Sequence, residues 1–215
     1  MRDIKKPLGI TLITIGMLLA AIPMVKYGQA TYFQRISLAA LEEPFETEAK
    51  PEPGRDELPV NSHEQQEPPE PPDELPAING ILEIPKINVR AVVVQGVTEE
   101  HLKQGPGFYP QSKYPQTGNV SIAAHRGVYG AWFRNVNKLD PGDEIVLTLG
   151  SKLYRYTVRE QFVTHSRDWS VVESTGNPEL TLTTCLFTTT TKRLIVKADL
   201  KEIEKAPEPQ RLNNK

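Results

Sequence analysis

The sequence predicts a mainly β domain closed, or nearly closed, into a barrel and hung from an N-terminal membrane helix. Three observations carry that prediction. Apolar residues alternate with period two through the second half of the chain, turn residues separate those runs at short spacing, and an uncharged stretch lies near the N-terminus.

The uncharged stretch is 7–25, PLGITLITIGMLLAAIPMV. At about 1.5 Å per residue it makes a helix of roughly 28 Å, close to the ~30 Å of a hydrocarbon core. Arg2, Lys5 and Lys6 precede it, so the N-terminus is expected on the cytoplasmic side and the rest outside. Residues 1–27 are therefore read as a cytoplasmic N-terminus and a single-pass anchor in the cell membrane. A cleaved signal peptide is the weaker reading, because the apolar run exceeds a usual signal core and is followed by Lys26 and Tyr27. Residues 28–41 extend the same helical pattern for a few turns. Residues 42–76 then hold twelve Asp or Glu against Lys50 and Arg55, among many prolines. Such a stretch buries too little apolar surface to offset its ordering entropy, so 28–76 is expected to be an extracellular stalk. Residues 77–203 are the size of one domain with a real core, and 204–215 form a polar tail. The net charge of −2 leaves no basic footprint for nucleic acid, and no internal repeat is visible.

The elements of the domain follow in order. ILEIPKINVRAVVVQGV reads as two strands broken at Pro85–Lys86. GNVSIAAH, DEIVLTLG and KLYRYTVREQFVTH are three more, with Gly150-Ser151 as a tight hairpin between the last two. PELTLTTC and RLIVKADL close the series. In the last, Leu194, Val196, Ala198 and Leu200 alternate against Arg193, Lys197 and Asp199, so one face is buried. Two segments read as short helices: TEEHLKQG, opened by Thr98 and stopped by Gly105, and AWFRNVNKL, ending before Pro141. Seven or eight short strands argue for a barrel, with an open sandwich as the alternative.

Chemistry concentrates around Cys185, the only cysteine. An intermolecular disulfide, an inert buried thiol and a nucleophile all remain open on the cysteine alone. Alternation in LTLTTC puts Thr181, Thr183 and Cys185 on one face and Leu180, Leu182 and Thr184 on the other. Arg193 begins the next strand after a seven-residue connection. If those strands pair, the thiol and a fixed positive charge share one end of the sheet, where the charge favours thiolate and can bind a developing oxyanion. Among the four histidines, His63 falls in the stalk, His101 in an exposed helical turn, and His165 at a strand end beside Ser166. His125 ends NVSIAAH with small neighbours and is the preferred proton donor.

TLTTC, an arginine at the start of the following strand, and an upstream AAHRGVYGAWF together resemble the sortases, cysteine transpeptidases of Gram-positive surfaces. The likeness runs from about Gly80 to Leu200. It takes in GILEIPKINV, LKQGPGFYPQSKYPQTGN and LDPGDEI, and is closest to the class D and class E groups. The resemblance implies an eight-stranded β-barrel and a triad of His125, Cys185 and Arg193, with Thr183 and Thr184 against the substrate. It implies cleavage of the Thr–Gly bond in an LPxTG-type C-terminal sorting signal of a surface protein. The acyl group then passes to a peptidoglycan precursor amine. No acidic cluster of calcium-binding type is seen, and the implied reaction asks for no metal or cofactor. No pilin-type lid motif precedes the barrel. A papain-like arrangement places cysteine before histidine, opposite to the order here. The rival of a different class is a non-catalytic, membrane-tethered barrel that binds a wall component and merely buries Cys185.

Overall fold

The computed structural model describes residues 5–42 and 75–207. It opens with a 38-residue helix, α1 (Lys5–Glu42). Among the described residues no helix is long and apolar enough to cross a membrane. The expected span, 7–25, lies in the part of α1 where many side chains fall outside the described set. The expected stalk begins inside this helix; 43–74, and the tail from 208 onward, lie outside the described residues.

Eight strands follow: β1 (Gly80–Ile84), β2 (Val89–Gln95), β3 (Gly107–Phe108), β4 (Asn119–Ala123), β5 (Glu144–Leu149), β6 (Lys152–His165), β7 (Glu179–Leu186) and β8 (Thr189–Lys205). They close a barrel in the order β1-β2-β3-β4-β7-β8-β6-β5, with β5 returning to β1, so the open sandwich is excluded. Closure gives every strand a neighbour on both sides, although the two-residue β3 pairs only Val94 and Gln95 of β2. The β2–β3 and β4–β7 pairs are parallel and the other six antiparallel. Period-two alternation sends Leu82, Ile84, Ala91, Val93, Ile145, Leu147, Leu180, Leu182, Leu194, Val196 and Ala198 into one core with Phe108, Tyr154 and Tyr156.

Apart from β3, which was not expected, the expected strands fall on these ranges, although β8 runs from Thr189 to Lys205 where 193–200 was expected. Pro85 starts a 3-10 turn, Pro85–Ile87, between β1 and β2, because it lacks the N–H a continuing ladder needs. At the β5–β6 hairpin Gly150 takes φ +55°, the left-handed conformation a two-residue turn demands. α2 (Glu99–Gln104) begins where Thr98 Oγ1 accepts the His101 N–H, and ends at Gly105.

The second expected helix differs. AWFRNVNKL folds as turns with one 3-10 turn, Val136–Lys138. Tyr129, Gly130 and Ala131 all have positive φ, which breaks any α-helical entry. The buried Phe133, Val136 and Leu139 recur every third residue, the spacing that shares a face in a 3-10 rather than an α turn.

Candidate active site

β7 carries the thiol, and its two neighbours bring it partners. On one side it runs parallel to β4, with Ala123 opposite Thr183. The pairing continues past the end of β4: the Ala124 N–H donates to the Thr183 carbonyl at 3.2 Å, and Thr184 Oγ1 donates to the Ala124 carbonyl at 2.8 Å. His125 and Cys185, each two residues beyond those register partners, therefore leave adjacent strands at the same end. On the other side β8 runs antiparallel, and Cys185 pairs directly with Arg193.

The β7–β8 connection is tighter than its length suggests. Leu186 already pairs with Thr189, so the strands turn through Phe187 and Thr188, and the surplus residues Thr190–Lys192 bulge from β8. The bulge has two consequences. Its outer side pairs with the end of β6, where the Ser166 N–H donates to the Thr191 carbonyl at 2.8 Å. Its carbonyls also hold the guanidinium: Arg193 Nη1 donates to Thr190 at 3.0 Å and to Lys192 at 3.4 Å. One nitrogen of the fork is fixed by backbone, so the charge is oriented as well as present.

His125 is half-buried, and its Nε2 has no hydrogen-bond partner among the described residues. Burial pushes its pKa below the ordinary 6.5; Glu99 of α2 opposes that shift and Lys103 of α2 adds to it. The Tyr129 ring lies 5.3 Å from the imidazole, centroid to centroid, and Lys103 Nζ lies 5.9 Å from the Tyr129 centroid. Arg126 turns the other way. Its Nη2 donates to Asn137 Oδ1 at 2.8 Å, and its guanidinium covers the Phe187 ring at 4.5 Å, which packs the β7–β8 turn against the segment after His125.

The outer face of β7 at this end is roofed by the 166–178 connection, which contains a 3-10 turn, Trp169–Val172. Under it lies a small cavity of about 50 Å³, lined by Tyr109, Asp168, Trp169, Thr183 and Arg193 among others. Three side-chain bonds secure the roof: Asn119 Nδ2 to the Val171 and Glu173 carbonyls, and Ser121 Oγ to the Val172 carbonyl. The Ser170 and Thr164 hydroxyls hold the Asp168 carboxyl below the usual carboxylate range.

The sequence-predicted residues are distributed as follows. Cys185, His125 and Arg193 converge at one end of three adjacent strands. Thr183 lines the roofed cavity, where its Oγ1 shares a 2.9 Å hydrogen bond with Tyr109 Oη. Thr184 lies on the core face, buried, with its hydroxyl committed to the Ala124 carbonyl. His101 Nδ1 shares a hydrogen bond with Thr98 Oγ1, and His165 Nδ1 accepts the Arg167 N–H. His63 lies outside the described residues. Sequence reasoning passed over Tyr109, Tyr129 and the roof residues Asp168 and Trp169. The only local signal for Tyr129 was an aromatic residue set between Gly127 and Gly130. Among the described residues no group of His, Cys, Asp and Glu is placed to hold a metal.

A closed β-barrel that brings a thiol, an imidazole and a guanidinium to the end of three neighbouring strands carries the groups that a cysteine acyltransferase or hydrolase uses. The particular family follows from comparison. A Sortase domain profile matches residues 82–201. Sortase D of Bacillus subtilis is 34% identical over 109 residues, covering 50% of this chain and 54% of that protein. The solved structure of Listeria monocytogenes sortase A superposes with a TM-score of 0.58 at 28% identity, covering 63% of this chain and 99% of that one. Sortase E from Streptomyces avermitilis gives 0.55 at 32% identity, covering 61% and 95%. The chain belongs to the sortase family, whose members are cysteine transpeptidases. It spans little more than half the length of the B. subtilis relative.

Proposed function

We propose that the protein is a membrane-anchored cysteine transpeptidase. It cleaves the Thr–Gly bond of an LPxTG-like C-terminal sorting signal and transfers the acyl-threonine to an amine, attaching surface proteins to peptidoglycan. The observation that carries this reading is the register: Cys185 directly opposite Arg193, with His125 two residues past the end of the neighbouring β4.

The chemistry runs in two halves. The Cys185 thiolate forms a bond to the threonine carbonyl carbon, and the carbonyl electron pair moves onto oxygen, where the Arg193 guanidinium stabilises it. Collapse breaks the carbon–nitrogen bond, and His125 gives its proton to the departing glycine nitrogen. An acceptor amine then attacks the thioester carbon, returns a proton to His125 and expels the sulfur as thiolate. Water in place of the amine yields the free acid. The roofed cavity beside Arg193, with Tyr109, Thr183 and Trp169, supports a seat for the sorting-signal side chains, and Thr184 acts by holding the two strand ends together. The uncharged 7–25 segment, preceded by basic residues, supports a single-pass anchor with the barrel on the outer side of the membrane.

The test is to incubate the full-length protein with an LPxTG-type peptide and a glycine-based amine and to weigh the products. A product carrying the amine on threonine is expected, with the free acid when the amine is omitted. No cleavage, together with Cys185 alkylation only after denaturation, would favour the non-catalytic wall-binding barrel instead.

A further inference from the structure

One side of β2 poses a problem of hydrogen-bond accounting. Along β1 the strand is paired from Val89 to Val93, but on its other side β3 reaches only Val94 and Gln95. Val92, two residues earlier, is fully buried, so an unpaired N–H and C=O there would each cost free energy. Both are paired by a side chain from α1. Gln34 Oε1 accepts the Val92 N–H at 2.6 Å, and Gln34 Nε2 donates to the Val92 carbonyl at 3.0 Å and to the Gln104 carbonyl at 3.0 Å. One carboxamide thus makes both bonds that a neighbouring strand residue would make.

The socket is built for that amide. Gln34 is 2% exposed, as is Ala30 one turn earlier. Phe33, Ser37 and Leu38 are half-buried on the same face, whereas Tyr32, Arg35, Ile36 and Ala39 are exposed, so the helix has a docked face of ordinary helical period. A Cβ at Gly105 would overlap the Gln34 amide nitrogen and approach the Val92 carbonyl oxygen at 2.9 Å. Glycine at that position leaves the space that Gln34 occupies.

The same bond reaches toward the histidine. Gln104 is the last residue of α2, the helix whose Lys103 lies over Tyr129 and whose Glu99 and Lys103 are the two charges acting on His125. Gln29 and Phe33 of α1 face Glu100, Lys103, Gln104 and Tyr129 across a cleft of about 290 Å³.

We propose that residues 28–41 are an intramolecular docking helix and that Gln34 is a positioning residue. It serves as a surrogate strand for β2 and fixes α2, and through Lys103 and Tyr129 it fixes the setting of His125. Segment 43–74 then connects two elements that both already touch the barrel. The distance between anchor and site is set by α1 rather than by the acidic segment. The positioning role rests on the transpeptidase reading of His125; the docking does not.

The test uses the full-length chain in detergent micelles, comparing wild type with Gln34→Ala and Gln34→Met. Methionine keeps the length and apolar bulk but lacks the amide. Three quantities are read: hydrogen exchange at the Val92 amide, kcat and KM for an LPxTG-type peptide, and the rate of Cys185 alkylation. Both variants are expected to exchange at Val92 about tenfold faster or more. Both should lose about tenfold in kcat with KM and alkylation nearly unchanged, as a displaced proton donor requires. Wild-type exchange in Gln34→Met would overturn the surrogate-strand assignment, and faster exchange with unchanged kcat would overturn the positioning role. A wild-type protein that does not turn the peptide over would count against the transpeptidase reading alone, because the exchange at Val92 is read independently of activity.

Discussion

The two ends of β7 are built on opposite plans. At Glu179 every charge is matched: its carboxylate accepts from Lys197 Nζ at 3.0 Å, Arg159 Nη2 at 3.3 Å and Thr175 Oγ1 at 3.2 Å, and Arg159 also meets Asp199 at 2.6 Å. Six residues on, at Cys185, the thiol is half-exposed, His125 Nε2 is buried without a partner among the described residues, and Arg193 is held through one nitrogen. The positive-φ residues Tyr129, Gly130 and Ala131 and the exposed Phe187 also gather at this end. One strand joins a saturated polar cluster to an unsaturated one. A buried pair is costly to break, whereas a site must keep atoms unpaired for its substrate, and backbone strain gathers where function needs it.

That contrast can be broken at either end, and the largest effect belongs to the reactive one. Arg193→Lys keeps a positive charge but loses the planar fork that the bulge orients. With LPxTG-type peptide the variant should lose about 10²–10³-fold in kcat, while Cys185 alkylation by a small reagent changes much less. Equal losses in both rates would mean that Arg193 acts by favouring thiolate. Next comes the saturated end. Glu179→Ala leaves Lys197 buried and Arg159 with fewer partners, and should cost about 3 kcal/mol in denaturant unfolding, with kcat for the folded protein close to wild type. A large drop in kcat at full folding would show that the two ends are coupled.

The smallest effect concerns pH. Because burial depresses the His125 pKa below 6.5, the unfolded chain binds more protons than the native protein in the window just beneath that value. Stability is therefore fully present above 6.5, falls as pH is lowered through the window, and levels off below the native pKa. His125→Gln should shrink the difference in Tm between about pH 7.5 and about pH 5.5. An unchanged difference would assign that pH dependence to other groups.

The same contrast explains what could be read from sequence. KLYRYTVREQFVTH gave β6 with its limits because a long run of alternating residues needs no partner to be recognised. The meeting of Cys185 and Arg193 was legible for a similar reason: consecutive strands joined by a short connection pair antiparallel. β3 was not legible, since a two-residue strand is defined by the neighbours that pair with it and carries no period of its own. Lys197 alternates with core residues and reads as solvent-facing, yet it is buried beside Glu179, which supplies its counter-charge at 3.0 Å. Gln34 shows the same limit. Within its helix it is one polar residue among several, and only the gap beside Val92 gives its amide a role.

The most direct measurement of the central claim is the intact mass of the enzyme after mixing with an LPxTG-type peptide in the absence of acceptor amine. The reactive-end assignment predicts an adduct equal to the acyl part of the peptide, lost on adding a glycine-based amine and absent from Cys185→Ala. An adduct or sustained turnover in Cys185→Ala would contradict it.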